Sequence, residues 1–451
     1  MHSNAAPIAD APARATTLDE APPRAVTGAA PGAPRASPMS ERKATHGVSV
    51  VTHAMTVAER RATTGLAAIF GLRMLGMFII LPVFALYAEA LPGGADHTLV
   101  GIALGAYALT QAILQVPFGW ASDRFGRKPT IALGLVIFAL GSFLAAWAPD
   151  IGWTIAGRAL QGAGAVSAAV IALAADLTRD EVRTRAMAVI GMTIGGTFAL
   201  SLVAGPLLRN AIGVPGIFVL TGVLALGSIA VLLRLVPQAE MRVEVAERGA
   251  GPLMRVLVDR DLARLNYGIF ALHAVLMALF VQIPFQLRDA GLAVEHHWQV
   301  YLPVMVASVA LLMPALRSAD RVERAKIIFV GSVVVLAGAE VILAFAGTSL
   351  ATLVVGLVAF FTAFNLLEAT LPSLVSKFAP PSLKGTAVGI YSSLQFLGTF
   401  AGAAAGGALA QHAGAASVFV FGIVLTLVWL AVSAFMTAPP PYRPHSSIGE
   451  S

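Results

Sequence analysis

Apolar runs of about twenty residues recur along this chain, and a helix of that length is enough to cross a bilayer. Twelve such runs can be read, over 63–90, 98–120, 129–148, 152–174, 186–208, 213–236, 263–286, 298–316, 327–346, 350–375, 385–410 and 414–436. The expected fold is therefore an all-α polytopic membrane protein of twelve transmembrane helices. Composition agrees: 57% of residues are hydrophobic and 12% charged, against about 25% charged in soluble domains.

The loops between these spans sort by charge. Short Lys/Arg-rich loops stay on the cytoplasmic side. With the N-terminus inside, the inner loops hold Arg124, Arg127 and Lys128, then Arg179, Arg183 and Arg185, then Arg242, Arg248, Arg255 and Arg260. Arg317, Arg321, Arg324 and Lys326 follow, and last Lys377 and Lys384; the outer loops offer Arg209 and Arg288. Both termini are thus expected in the cytoplasm, and the net charge of +6 reports topology rather than nucleic-acid binding. There is no cysteine, so disulfide, thiol and zinc-thiolate chemistry are excluded. No metal or cofactor is expected.

Five segments follow from this pattern. Residues 1–60, rich in Ala, Pro, Arg and Ser, read as a disordered cytoplasmic tail. Residues 61–236 form one six-helix bundle, 237–262 a cytoplasmic central loop, 263–437 a second bundle, and 438–451 a short cytoplasmic tail.

The loop between spans 2 and 3 reads Gly-Trp-Ala-Ser-Asp-Arg-Phe-Gly-Arg-Lys-Pro-Thr from Gly119 to Thr130. Asp123 and Arg127, four apart, share a face if the hairpin is helical, and Gly119 and Gly126 permit close approach and positive φ. The run resembles the signature loop of the major facilitator superfamily of secondary transporters, Gly-x-Leu-x-Asp-Arg-x-Gly-Arg-Lys/Arg-x, departing at Ala121. The resemblance implies two six-helix halves that rock about a central site. It also implies a conformational latch built from Gly119, Asp123, Arg124, Gly126, Arg127 and Lys128. Asp123 would meet the start of span 11, at Lys384 and Gly385, where a helix dipole welcomes a carboxylate, and Arg127 would pair with Asp176.

The halves echo each other. Asp123-Arg124-x-x-Arg127 recurs as Asp320-Arg321-x-x-Arg324, and Gly196-Thr197-Phe198 of span 5 recurs as Gly398-Thr399-Phe400 of span 11. A duplicated bundle with its substrate site near midplane follows. Spans 5 and 11 are glycine-rich, at Gly191, Gly195 and Gly196 and at Gly402, Gly406 and Gly407. Small residues four apart allow close helix packing, either static or sliding. The Gly-Pro-x-x-Gly-Gly pattern of family antiporters is incomplete here, since Gly205-Pro206 is followed by Leu207, Leu208, Arg209 and Asn210.

Charges and polar groups inside a membrane are costly and mark function. Arg73 lies in span 1 and Arg158 in span 4. Arg158-Ala-Leu-Gln161-Gly162 resembles the Arg-x-x-Gln-Gly motif of proton-coupled drug exporters. Arg158 either braces the first bundle or supplies a fixed positive charge to a proton acceptor or an anionic substrate. For proton coupling the candidates are Glu368 first, then Glu340 and His273, with Glu89 read as an ordinary interfacial residue. Asn365 shares a face with Glu368, and Gln111 and Gln115 share one on span 2. Asn266 and Gln282 are further polar candidates for the cavity.

Leu72 to Phe78, Gly157 to Gly162, Phe364 to Glu368 and Lys384 to Ala387 are similar to YajR-type bacterial exporters. A C-terminal ferredoxin-like domain, as carried by one such exporter, is not expected here. The resemblance supplies proton coupling and efflux. The expected function is proton-driven antiport of a small molecule or drug by alternating access, in a bacterial inner membrane, by a monomer whose partners are lipid, substrate and protons. A proton symporter or facilitator for a sugar or organic acid is the alternative. No His-Glu-x-x-His or Gly-x-Ser-x-Gly motif supports an enzyme, and no pore loop supports a channel.

Overall fold

The computed structural model describes residues 54–238, 250–319, 322–380 and 383–436. The tail expected over 1–60 lies outside these up to residue 53, as do Arg242, Arg248, Asp320, Arg321 and the segment from 437 onward. The tail's last residues are helical. Thr56 caps the first helix in a capping box with Glu59, so that helix starts earlier than expected.

The first span is two helices, α1 (Val57–Phe78) and α2 (Leu81–Glu89), with Pro82 opening the second. Span 2 is α3 (His97–Phe125) and span 3 is α4 (Arg127–Ala146). Span 4 breaks at residues 164–166 between α5 (Ile151–Ala163) and α6 (Ser167–Asp176). Spans 5 and 6 run together as α7 (Asp180–Arg234), two helices joined across Gly213, whose φ of 68° is left-handed. The central loop contains a helix that hydropathy did not mark, α8 (Ala250–Val258). The second half is α9 (Arg260–Asp289), α10 (Trp298–Ala319), α11 (Val322–Ala344), α12 (Leu350–Phe378), α13 (Lys384–Ala413) and α14 (Ala415–Ala434).

Among the described residues, ten helical stretches are long and apolar enough to cross a membrane. The expected count of twelve rests on dividing α7 at Gly213 and on including α13, whose thirty residues are rich in Gly and Ala. Fully buried leucine, isoleucine, valine and phenylalanine fill both halves.

The signature loop and the start of α13 lie at one end of the bundle, here the loop end; the other is the far end. At the far end the halves are packed backbone to backbone. A Cβ on Gly101 of α3 would fall on the Ala403 carbonyl oxygen of α13, and one on Gly407 would fall on the His97 carbonyl. Within the second half, Gly398 and Gly402 press likewise on the Phe270 and Ala274 carbonyls of α9. Toward the loop end the picture inverts: beside Gly191, Gly195, Gly385 and Gly389 a Cβ would meet nothing within 4 Å. The two glycine clusters expected to be alike therefore differ. Those of span 11 are packed, and those of span 5 face open space.

Candidate functional site: a polar cluster beneath an aromatic layer

At mid-depth the two halves meet through phenylalanines. Phe198 of α7 lies 6.4 Å from Phe280 of α9, 6.0 Å from both Phe361 and Phe364 of α12, and 5.1 Å from Phe78 of α1. Its sequence echo Phe400 packs from the other half onto Gly105 of α3. The repeated tripeptide thus puts one aromatic from each half against the opposite half.

The loop-end side of this layer is polar. His273 of α9, its ring 5.8 Å from Phe364, meets Gln395 of α13 and Glu368 of α12. The Gln395 amide donates to His273 Nε2 at 2.9 Å and to Glu368 Oε1 at 3.3 Å. His273 Nδ1 lies 3.3 Å from the Ile269 carbonyl, which suits the tautomer with its hydrogen on Nδ1. Glu368 Oε2 sits 3.9 Å from His273 Nε2 and has no hydrogen-bond partner among the described residues. The Glu368 side chain is 33% exposed as a whole, but its unpartnered Oε2 is itself buried. Glu368 and His273 are brought together, while Asn365 points elsewhere, donating to Ser308 of α10 at 3.4 Å. Gln395 was missed by the sequence reading, because nothing in span 11 marks one polar residue over another.

Glu340 is apart from this cluster. It is buried between α11 and α14, pressed against Gly422, where a Cβ would meet its Oε2 at 2.5 Å. Asn266 and Gln282 are also buried.

In the first half the polar groups form an internal network. Arg73 donates to Gln111 Oε1 and, at 2.7 Å, to Ser167 Oγ; Gln111 donates to Gln115 at 2.8 Å. Arg158 donates to Gln161 Oε1 at 2.9 Å, and Gln161 to Ser142 at 2.8 Å. Both guanidiniums lie over the Tyr107 ring, at 5.8 and 5.2 Å. Gln111 and Gln115 are thus partners of a buried arginine network, not liners of an open cavity.

At the loop end, α3 runs to Phe125 and the chain turns at Gly126, with φ 97°, straight into α4. Asp123 and Arg127 pair across this turn rather than along one helix. Arg127 also bonds Asp176 Oδ2 at 2.9 Å and Ser122 at 2.8 Å, and Lys128 donates to the Val236 carbonyl at 2.6 Å. Arg124 stacks 5.6 Å over Trp120, and Gly119 makes only ordinary contact with Ala168. Lys384 opens α13, whose first turn has no side-chain cap. Nearby, Glu59 accepts from Arg179 at 2.8 Å, and this bond holds the Arg179 guanidinium above its usual pKa.

At the far end, Glu89 is more than an interfacial residue. It pairs across the halves with Arg288 at 2.8 Å, while the His97 amide donates to Gln411 at 2.9 Å and the His97 ring stacks 5.1 Å from Phe285.

The profile of the Major Facilitator Superfamily matches residues 66–396 and 297–451. The chain belongs to this superfamily, and it is a multi-pass membrane transporter rather than an enzyme. It is 46% identical over 388 residues to the inner membrane transport protein YajR of Escherichia coli strain K12, covering 86% of this chain and 85% of that one. It is 27% identical over 346 residues to the multidrug resistance protein MdtH of Aeromonas hydrophila, covering 75% and 85%. A bacterial homologue of the human lysosomal transporter Spinster, solved inward-facing and unoccupied, superposes with a TM-score of 0.68 at 12% identity, covering 85% and 98%.

Proposed function

We propose that this transporter exports a small molecule from a bacterial cell in exchange for protons, by alternating access. The observation that carries the reading is Glu368: a half-buried carboxyl beside the aromatic layer, bridged by Gln395 to His273, with its Oε2 buried and without a hydrogen-bond partner among the described residues. A carboxylate cannot be enclosed in the bilayer interior at low cost while it keeps its charge. Either a proton or a cationic group of the substrate neutralises it. Two ligands that compete for one such site, each allowing the halves to rock, give antiport.

Kinship with transporters named for the inner membrane and for multidrug resistance supports both location and direction. On this reading the basic loops lie in the cytoplasm, and the structure corresponds to the inward-open state. In the opposite state, Asp123 closes onto the uncapped, unobstructed start of α13 at Lys384 and Gly385, where unsatisfied amides and the helix dipole hold a carboxylate. The chain acts as a monomer, and Arg73 and Arg158 stay within the first half as it rocks.

The test is internal pH in proteoliposomes under an imposed proton gradient, with cationic, neutral and anionic compounds added in turn. A compound should discharge the gradient through the wild type and not through Glu368→Gln. If labelled solute equilibrates while no compound moves protons, the protein is a facilitator and the coupling assignment fails. Proton uptake in the same direction as solute would make it a symporter.

A further inference from the structure

We propose that the far end holds a zwitterion across the seam between the halves, an alkyl phosphate carrying an ammonium group, with its phosphate on Arg209 and its ammonium on Glu295. The phosphoethanolamine headgroup of a phospholipid has this chemistry, as does free glycerophosphoethanolamine.

The site is a cavity of about 690 Å³ where α7 breaks at Gly213. That volume lies in the range of small-molecule sites. Tyr87 of α2 forms one wall, and Arg209, Asn210 and Pro215 come from the two arms of the break. Glu295 enters from the other half, on the short helical turn Val294–His296 that precedes α10. One cation from the first half and one anion from the second therefore line the same cavity.

Neither charge is satisfied within the protein. Among the described residues Arg209 and Glu295 make no ion pair and no hydrogen bond, to each other or to any other group. Elsewhere at the far end the halves do join opposite charges, since Glu89 bonds Arg288 directly at 2.8 Å. At the cavity the same kind of cross-half pair stands open. A simple anion there would bond Arg209 and face the Glu295 carboxylate; a simple cation would face the guanidinium. A ligand carrying both charges satisfies both walls. Arginine presents a planar fork that binds phosphate through two parallel N–H bonds, and the exposed Asn210 amide is a further donor in the cavity. A primary ammonium offers Glu295 three donors.

The surroundings suit a lipid. Leu207 and Ile212, which flank Arg209 and Asn210 in the chain, are exposed, and in a chain that spans a membrane such residues face acyl chains. Tyr87 brings an amphipathic ring of the kind enriched at headgroup level. A ligand that touches both halves binds the arrangement in which they meet, so it favours the far-end-closed state over the other. The inference does not rest on the direction of transport or on Glu368.

The test uses the full chain in maltoside detergent, which carries no charge. It is titrated with radiolabelled phosphatidylethanolamine, with glycerophosphoethanolamine, and with phosphatidylglycerol, a phosphate without an ammonium. Phosphatidylethanolamine should bind saturably, and phosphatidylglycerol about tenfold more weakly, the fold-change of one charged hydrogen bond. Arg209→Gln and Glu295→Gln should each weaken phosphatidylethanolamine binding by a similar factor. Arg209 is half-buried and Glu295 exposed, so both variants should keep the lipid-free unfolding midpoint of the wild type. Binding of glycerophosphoethanolamine as well would show that the headgroup alone is recognised; binding of the lipid only would assign the site to the bilayer. The proposal is overturned if neither ethanolamine compound binds saturably, if phosphatidylglycerol binds as tightly, or if either variant binds as the wild type does.

Discussion

Gly101→Ala tests whether close helix contact at the far end sets the balance between the two states. The new Cβ would fall on the Ala403 carbonyl oxygen and within 3.0 Å of the Gly407 Cα. Both obstacles are backbone, so no rotamer relieves them; the halves must part. Overpacking of this kind costs about 1–3 kcal/mol, a shift of roughly 5- to 150-fold in the ratio of two conformations. Because Gly→Ala inside a helix also gains up to about 1 kcal/mol of helix propensity in either state, thermal stability is a poor readout and the state ratio a good one. The chain has no cysteine, so pairs introduced at the exposed Trp147 and Thr348 can be spin-labelled without background. These positions lie at the far ends of the two halves. Electron–electron distance measurements should show the longer, far-end-open population gaining in Gly101→Ala. Gly389→Ala, where nothing lies within 4 Å, is the control. An unchanged distribution, or an equal response from the control, would refute the reasoning.

The far-end ion pair should act in the same direction but more weakly. Glu89 and Arg288 are 33% and 44% exposed, so solvent screening leaves about 0.5–1 kcal/mol. Glu89→Gln should open the far end by roughly two- to fivefold, and exchanging the charges through Glu89→Arg with Arg288→Glu should restore the wild-type distances. Asp123→Asn should bias the opposite way. It should insert and fold, keep the far end closed and slow turnover in the proteoliposome assay; unchanged turnover would sink the latch. Glu368→Gln should keep the distance distribution of the wild type while losing substrate-driven proton movement.

Some of this molecule was determined by the sequence alone. Span length and hydropathy are local properties, so the apolar runs and the basic loops between them could be read directly. The same holds for the turn at Gly126, where a left-handed φ between two helices asks for glycine, and for the separation of spans at Gly213, which the hydropathy pattern placed at residues 209–212. The family was legible because its signature is a contiguous dozen residues.

Tertiary structure decided the rest. Helices that are apolar on nearly every face carry no stripe to mark which side turns inward, so hydropathy could not fix their rotation. Gln111 looked able to line a cavity, yet it faces Arg73. Gly195 and Gly402 look equivalent in sequence, but one meets open space and the other a carbonyl oxygen. His273, Glu368 and Gln395 come from three helices, and Glu89 meets an arginine 199 positions away. Such meetings depend on how helices pack and on which end of the bundle is closed, and neither is a property of any one stretch of chain.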